Sequence, residues 1–223
     1  MKSLTQHINE KLVLNSNSKV RKFNYYPSSR NELKELVDKL VEERGNEADL
    51  NDIDTSKITN MYELFRQSNF NGDISMWDVS NVEDMSNMFH KSEFDGDISK
   101  WNVSNVEDME GMFSQTKFTR DLSKWNVVSV KNMSSMFEYS EFNGDISGWD
   151  VSNVENMHGM FYNCVFNRDI SKWNVGNVKN MDEMFANSNF DNDISKWNIN
   201  KNCSITNIFF GCPIKEAHKP KFI

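Results

Sequence analysis

The sequence predicts an α/β repeat solenoid: a stack of about seven 24-residue coils, each a short parallel strand plus a short helix, with an N-terminal capping helix. All six tryptophans share one 24-residue register. Two phenylalanine series, Phe70 to Phe190 and Phe65 to Phe209, repeat with the same spacing. A fixed period of about 20 to 50 residues is the signature of stacked repeats. No single repeat can bury its own aromatic residues, so neighbours must share one continuous core.

The repeats divide the chain of 223 residues into three parts. Residues 1–48 form an N-terminal segment, residues 49–213 hold the seven repeats, and residues 214–223 form a C-terminal tail. The consensus is F-[ND]-G-D-I-S-x-W-[DN]-V-S-N-V-x-[DN]-M-x-x-M-F-x-x-S-x. The first and last copies diverge, as expected where an end repeat has only one neighbour.

The N-terminal segment contains one strong helix signal, "SSRNELKELVDKLVEERG". Ser29 and Glu32 have capping-box spacing, and Gly45 is placed to end the helix. We expect this helix to cap the first repeat, with partner binding as the alternative. "SKVRKFNYY" is expected to pair with the first repeat, and residues 1–14 to be a short helix or a docking peptide. The apolar stripe of the capping helix is Leu33, Leu36, Val37, Leu40 and Val41.

Within each repeat, two hydrophobic periods alternate. "DISxWDV" predicts a short strand with Trp77 and Val79 on one face, and the preceding "NGD" predicts a turn. Arg120 and Arg168 replace the glycine of that turn in two repeats, and they would be strained if the position needs a positive φ.

The second period lies in "VxxMxxMF", where the residues from Val82 to Phe89 have the spacing of one helical face. Ser80 and Glu83 precede it with capping-box spacing, which recurs in two other repeats at Ser104/Glu107 and Ser152/Glu155. The segment therefore predicts one or two helical turns per repeat, with partly 3₁₀ turns as an alternative. The recurring methionines are interpreted as core residues.

Charge and cysteine content exclude several classes of function. Residues 1–48 hold nine Lys/Arg and seven Asp/Glu, so +2, and residues 49–223 hold sixteen and twenty-six, so −10. An acidic main body argues against nucleic acid and against an anionic membrane surface. No apolar run reaches membrane-spanning length, so no membrane insertion is expected. Three cysteines without CxxC spacing favour reduced thiols over a Cys203–Cys212 bridge and indicate no zinc site.

Six aspartates form a ladder at the 24-residue period. Carboxylates about 5 Å apart repel one another, so something must offset the repulsion. We expect each to accept a backbone N–H bond in its own turn. A calcium ladder is the alternative, although one carboxylate per repeat is sparse for an ion that takes about six to eight oxygens. The six are Asp73, Asp97, Asp121, Asp145, Asp169 and Asp193.

The tryptophan ladder is interpreted as buried, with a sugar-stacking platform as the alternative. No catalytic residues, metal or cofactor are predicted. Acidic residues recur identically in every repeat, and His90 and His158 occupy different slots of different repeats. The ladder consists of Trp77, Trp101, Trp125, Trp149, Trp173 and Trp197.

The string "FNGDISxWDVSNVxxMxxMF" resembles the BspA-like leucine-rich-repeat surface proteins of bacteria, a domain of unknown function. The likeness covers residues 49–213, and "ADLNDIDTSKITNMYELF" is similar to the usual entry into that family's first repeat. The resemblance implies a right-handed solenoid of leucine-rich-repeat type and a role in adhesion or protein interaction. "MKSLTQHINE" is similar to the starts of short relatives from gut bacteria and their phages.

These observations predict a non-enzymatic recognition or scaffolding module that binds a protein, or a surface glycan, through variable outward rows. The alternative is a structural accessory protein of a phage particle or cell envelope, tethered by its N-terminal peptide. No signal or anchor is visible, so a cytoplasmic location, or the host cytoplasm or virion for a phage protein, is expected. The candidate binding residues are Lys100, Lys124, Lys172, Lys196, Tyr139 and Tyr162.

Overall fold

The computed structural model describes residues 22–221, so the predictions for residues 1–14 and for the start of "SKVRKFNYY" lie outside the described residues. One α-helix, α1, spans Arg30–Arg44, and one 3₁₀-helix spans Glu216–His218. Between them the described chain consists of turns joined by isolated parallel bridges. Seven of the eight bridges pair residues that are 24 positions apart, so successive repeats lie side by side.

Helix α1 begins and ends where the sequence predicts. Ser29 is its N-cap, and the Ser29 hydroxyl accepts a bond from the Glu32 amide at 3.3 Å. The Glu32 carboxylate accepts two bonds from Ser28, one residue earlier than a capping box requires. Gly45 ends the helix with φ 89°, a conformation that costs a residue without a Cβ little.

The apolar stripe of α1 packs into the core beside the first repeat, with Leu33, Val37 and Leu40 fully buried. At the start of the helix, the Arg30 guanidinium donates two bonds to the Tyr62 carbonyl at 2.8 and 2.9 Å. At its end, Arg44 pairs with Asp52 at 3.0 Å. Upstream, Tyr25 forms a parallel bridge with Ile53, which is the pairing predicted for that segment. These contacts agree with the expected capping role.

The repeats are joined by a backbone ladder in the segment "MxxMFxx". Four amides at two-residue spacing in each repeat donate to four carbonyls of the next repeat, at 2.6–3.0 Å across all six junctions. We refer to residues 61–67 and their equivalents every 24 positions as the seam. At one junction the donors are Met85, Asn87, Phe89 and Lys91, and the acceptors are Asp108, Glu110, Met112 and Ser114.

The seam replaces the predicted helical turns, and that prediction is wrong. Two slots of every seam are left-handed, for example Asn87 at φ 54° and Lys91 at φ 56°. Each is the third residue of a turn closed by a bond from residue i+3 to residue i, as in type II turns. The left-handed residues direct every second amide towards the neighbouring repeat, so a helical i to i−4 pattern does not develop.

The capping boxes predicted inside the repeats are also absent from the described structure. The amide and hydroxyl of Ser80 donate to the Asp78 carboxylate at 3.0 and 2.6 Å. The Glu83 amide donates to the Thr59 carbonyl of the preceding repeat at 2.8 Å. Since Glu83 lies just before the seam and not at the start of a helix, its spacing from Ser80 has no capping function.

The predicted strand "DISxWDV" is a turn instead, and tryptophan joins the repeats there. The Trp77 amide bonds back to the Ile74 carbonyl at 3.1 Å, while its indole N–H donates to the Leu50 carbonyl of the preceding repeat at 3.0 Å. All six tryptophans repeat this bond at 3.0–3.2 Å and are at most 4 % exposed. The predicted burial of the ladder is confirmed, which leaves no stacking platform for sugars.

The glycine slot of the "NGD" turn does not need a positive φ. Within residues 22–221, the left-handed residues are Gly45 and two seam slots per repeat. The condition for strain at Arg120 and Arg168 is therefore not met, and neither residue is left-handed. Glycine is needed at Gly72 for a different reason: a Cβ there would lie 2.0 Å from the Ala48 carbonyl oxygen.

Phenylalanine rings form two parallel columns through the core. Phe89 and Phe113 stack with centroids 5.7 Å apart, and Phe94 and Phe118 with centroids 6.4 Å apart. The methionines of the seam are buried beside them, as predicted. At the C-terminal end, Ile214 is buried and the Ile194 amide bonds to the His218 carbonyl at 3.0 Å. The described part of the predicted tail therefore packs on the last repeat.

Candidate functional site

The aspartate ladder is built into the backbone of the repeats. One carboxylate oxygen of each aspartate accepts a bond from the amide of the serine two residues later, at 2.8–2.9 Å. This is the geometry of an Asx turn, and the expectation is confirmed. Two further slots per repeat, represented by Asp78 and Asp84, make the same contact.

Neutral amides replace the carboxylate at those further slots without loss of the turn. Asn102 and Asn132 each accept the corresponding amide bond, at 3.3 and 3.1 Å. The chemistry required is thus an oxygen acceptor rather than a charge. Among residues 22–221, no three His, Cys, Asp or Glu side chains are grouped as a metal site would need.

Because of these turns, the stability of the fold is expected to depend on pH in the acid range. Bonds from the amide and hydroxyl of Ser99 lower the pKa of Asp97, and equivalent serines lower the pKa of Asp121, Asp145, Asp169 and Asp193. A carboxyl group with a lowered pKa in the folded state stabilises the fold above its unfolded pKa, and this contribution is lost as pH falls through the folded value. We expect a constant melting temperature from pH 7 to about 5 and a fall below about pH 4.

Replacing those five aspartates by asparagine is the matched control for the pH titration. Asparagine retains the acceptor oxygen but does not titrate, so the acid limb of the melting curve should become shallower. An unchanged acid limb in the fivefold variant would show that other groups cause the loss of stability.

The predicted lysine row is exposed along the tryptophan turn. Lys172 and Lys196 line one shallow groove together with Asp169 and Asp193. The lysines add a minor electrostatic contribution to the lowered pKa of the neighbouring aspartates. Exposed Lys100 and Lys124 lie in the same slot of earlier repeats, and Gly148 interrupts the row. The arrangement places positive charges of the row beside carboxylates of the aspartate ladder.

The two candidate tyrosines come together at the end of the seam. Tyr139 donates its amide to the Tyr162 carbonyl at 2.9 Å, so the seam itself sets their side chains next to each other. Their ring centroids are 5.3 Å apart with an interplanar angle of 64°, an edge-to-face pair. A hydrogen bond with Tyr162 raises the pKa of Tyr139. We refer to Tyr139 and Tyr162 as the aromatic corner.

The lysine row and the aromatic corner do not form one site. Tyr139 borders a groove lined by Gln115, Thr116, Lys117 and Glu141, to which the row contributes no residue. Sequence reasoning missed two exposed apolar residues at the same edge, Val165 and Phe210. Phe210 occupies the slot of Tyr162 two repeats later and is 67 % exposed. The signal in the sequence that would have identified Phe210 is a large apolar residue at a slot that holds polar residues in several other repeats.

Comparison with known proteins assigns the chain to a family. A family model described as "Mycoplasma protein of unknown function, DUF285" matches residues 31–141 and 114–220. The chain therefore belongs to this family of repeat-type domains. No curated protein and no solved structure shows significant similarity to the chain. In the part of the chain described by the structure, no helix has the length and apolar character needed to cross a membrane.

Proposed function

We propose that the chain is a non-enzymatic recognition module that binds a protein partner at the aromatic corner. The observation that carries this proposal is the edge-to-face pair in which Tyr139 is 47 % exposed and Tyr162 is half-buried. Tyrosine is enriched at protein interfaces because it offers a large, rigid contact area with a polar end. A fold that buries its tryptophan ladder and its phenylalanine columns has no packing reason to expose Tyr139.

The division between constant and variable slots supports the proposal. Inward seam slots hold methionine and phenylalanine in nearly every repeat, whereas the residue in the slot of Tyr162, near the end of the seam, changes each time. Repeat proteins use such variable residues on a constant frame as binding surfaces. The six junctions and the BspA-like string favour a solenoid of leucine-rich-repeat type. The slot of Tyr162 holds Arg66, His90, Ser114, Glu138, Tyr162, Ala186 and Phe210, of which Ser114 and Ala186 are buried.

The absence of an enzymatic role is part of the same proposal. Each ladder aspartate is engaged in its own Asx turn, and the same contact recurs in every repeat. A catalytic site instead needs one repeat in which reactive groups converge.

Crosslinking capture from an extract of the source organism tests the proposal. We expect the unaltered chain to capture a defined protein and the Tyr139→Ser/Tyr162→Ser variant to lose at least about 90 % of it, a tenfold loss of affinity. The matched control reverses Lys100, Lys124, Lys172 and Lys196 to glutamate and should retain capture. Both variants must melt as the unaltered chain does.

Three results would contradict this assignment. Loss of capture with the lysine reversal alone would place recognition on the tryptophan-turn face. Loss only in a variant lacking residues 1–14, which lie outside the described residues, would favour a tether. Capture that is abolished by free glycans rather than by the tyrosine substitutions would identify a glycan ligand.

A further inference from the structure

Three glutamates surround the aromatic corner. Glu138 and Glu183 lie close enough to Tyr139 to contribute to its raised pKa, and Glu141 lines the groove beside it. The three come from the fourth and sixth repeats, and the seam brings them to one edge of the stack. We refer to these three glutamates as the acidic rim of the corner; Lys117 lines the same groove beside Glu141.

In the part of the chain that the structure describes, these glutamates have no ion-pair partner, whereas several other acidic side chains of the repeats do. Glu107 pairs with Lys131 at 2.7 Å, Glu155 pairs with Lys179 at 2.6 Å, and Asp95 pairs with Arg120 at 2.9 Å. Within residues 22–221, no Lys, Arg or His lies within 4.0 Å of the carboxylates of Glu138, Glu141 or Glu183. A partner can supply the missing cation.

We propose that the aromatic corner binds an arginine-bearing, extended segment of a protein partner. The planar guanidinium stacks on an aromatic face and donates up to five hydrogen bonds, which suits a tyrosine ring with carboxylates beside it. Tyr139 is 47 % exposed while its ring packs against Tyr162, so part of the ring is open to a partner and the contact with Tyr162 holds it in place. The net charge of −10 over residues 49–223 favours the approach of a basic segment.

The inference rests on the proposed function, since it names the partner chemistry of the same site. The negative charge around the aromatic corner also disfavours partners that are acidic or purely apolar. An acidic segment would meet three unpaired carboxylates at short range and be repelled. A purely apolar segment would leave those carboxylates next to its own surface without a counter-ion.

The test is an NMR titration of the full chain with three acetylated, amidated peptides: Gly-Arg-Gly-Arg-Gly, its lysine counterpart and its glutamine counterpart. We expect the arginine peptide to shift the ring signals of Tyr139 and Tyr162 in a saturable way and to bind about tenfold more tightly than the glutamine peptide. Binding should weaken as salt is raised, because the acidic rim is exposed.

Two variants locate the binding. The Tyr139→Leu/Tyr162→Leu variant should lose affinity about tenfold, and the Glu138→Gln/Glu141→Gln/Glu183→Gln variant should lose both affinity and most of the salt dependence. Lys100→Gln/Lys124→Gln, which alters the distant row, is the control and should bind as the unaltered chain does. A folded state in each variant is checked by its dispersed methyl signals.

The inference is overturned if the glutamine peptide binds as tightly as the arginine peptide, or if neither substitution weakens binding. Preference for the lysine peptide would also overturn it, because it would indicate recognition of a compact charge rather than of a planar group. If extract capture depends on the tyrosines while the arginine peptide does not bind, the proposed function stands and only the partner chemistry is wrong. If extract capture does not depend on the tyrosines and the arginine peptide does not bind, the aromatic corner is not a recognition site.

Discussion

Substitution of Trp149 by alanine is expected to lower the free energy of unfolding by about 3–5 kcal/mol. The indole is 3 % exposed and lies between two repeats, so its removal leaves a large cavity at a junction. The change also removes the donor to the Leu122 carbonyl, which the indole contacts at 3.0 Å. Urea denaturation followed by circular dichroism measures the loss.

Trp149→Phe separates the two contributions. Phenylalanine retains much of the buried ring but has no N–H donor, so we expect an intermediate loss of about 1–3 kcal/mol. If Trp149→Phe were as stable as the unaltered chain, the indole hydrogen bond would make no net contribution to joining the repeats. The bond to the preceding repeat would then be a consequence of packing rather than a cause of it.

Substitution of Gly159 by valine should cost about 2–3 kcal/mol, because Gly159 lies in a left-handed seam slot with φ 58°. A β-branched residue is especially unfavourable in that conformation. Space is not the limitation: the nearest atom to an added Cβ is the Ser135 hydroxyl, at 3.4 Å. The loss of unfolding free energy therefore reflects the backbone conformation at this slot. Urea denaturation measures it.

Gly159→Asn is the control that the chain itself supplies. Asn87 and Asn207 occupy the same slot of other repeats at φ 54° and 55°. Asparagine tolerates the left-handed region, so its cost should be below about 1 kcal/mol. Equal losses for valine and asparagine would show that the seam is not left-handed at this slot.

Local signals predicted the parts of the fold that depend on local chemistry. Ser29, Glu32 and Gly45 predicted the bounds of α1 because caps act within one turn of the helix. The Asx turns were predictable for the same reason, since aspartate bonds an amide two residues away. The register of Trp77 and its equivalents predicted a shared core because burial depends on the repeat period alone.

The seam could not be predicted from the same signals. Val82, Met85 and Phe89 point inward in a ladder of turns just as they would on a helical face, so their spacing does not separate the two. The deciding feature is the left-handed backbone at slots such as Asn87 and Lys91. Bonds to the neighbouring repeat impose that conformation, and tertiary contacts of this kind override local propensity.

The candidate site was predictable only as separate residues. Tyr139 and Tyr162 were each recognisable as aromatic residues at variable slots, but their contact depends on the seam register that joins one repeat to the next. The same register brings Glu138 and Glu183 to the corner from different repeats. If the segment is interpreted as a helix, these side chains are predicted to point in other directions, and their clustering is not predicted.

Amide hydrogen exchange in the third and seventh repeats tests the seam most directly, and the aromatic corner depends on it. Met109, Gly111, Phe113 and Gln115 donate to the following repeat, whereas Ile205, Asn207, Phe209 and Gly211 have no acceptor within residues 22–221. We predict that the first four amides exchange at least about 100-fold more slowly than the second four. Ile208, Phe210 and Cys212, which bond within their own repeat, control for fraying of the seventh repeat. Equal protection of the two sets of four would contradict the account, because bonds closed inside each repeat would protect both alike.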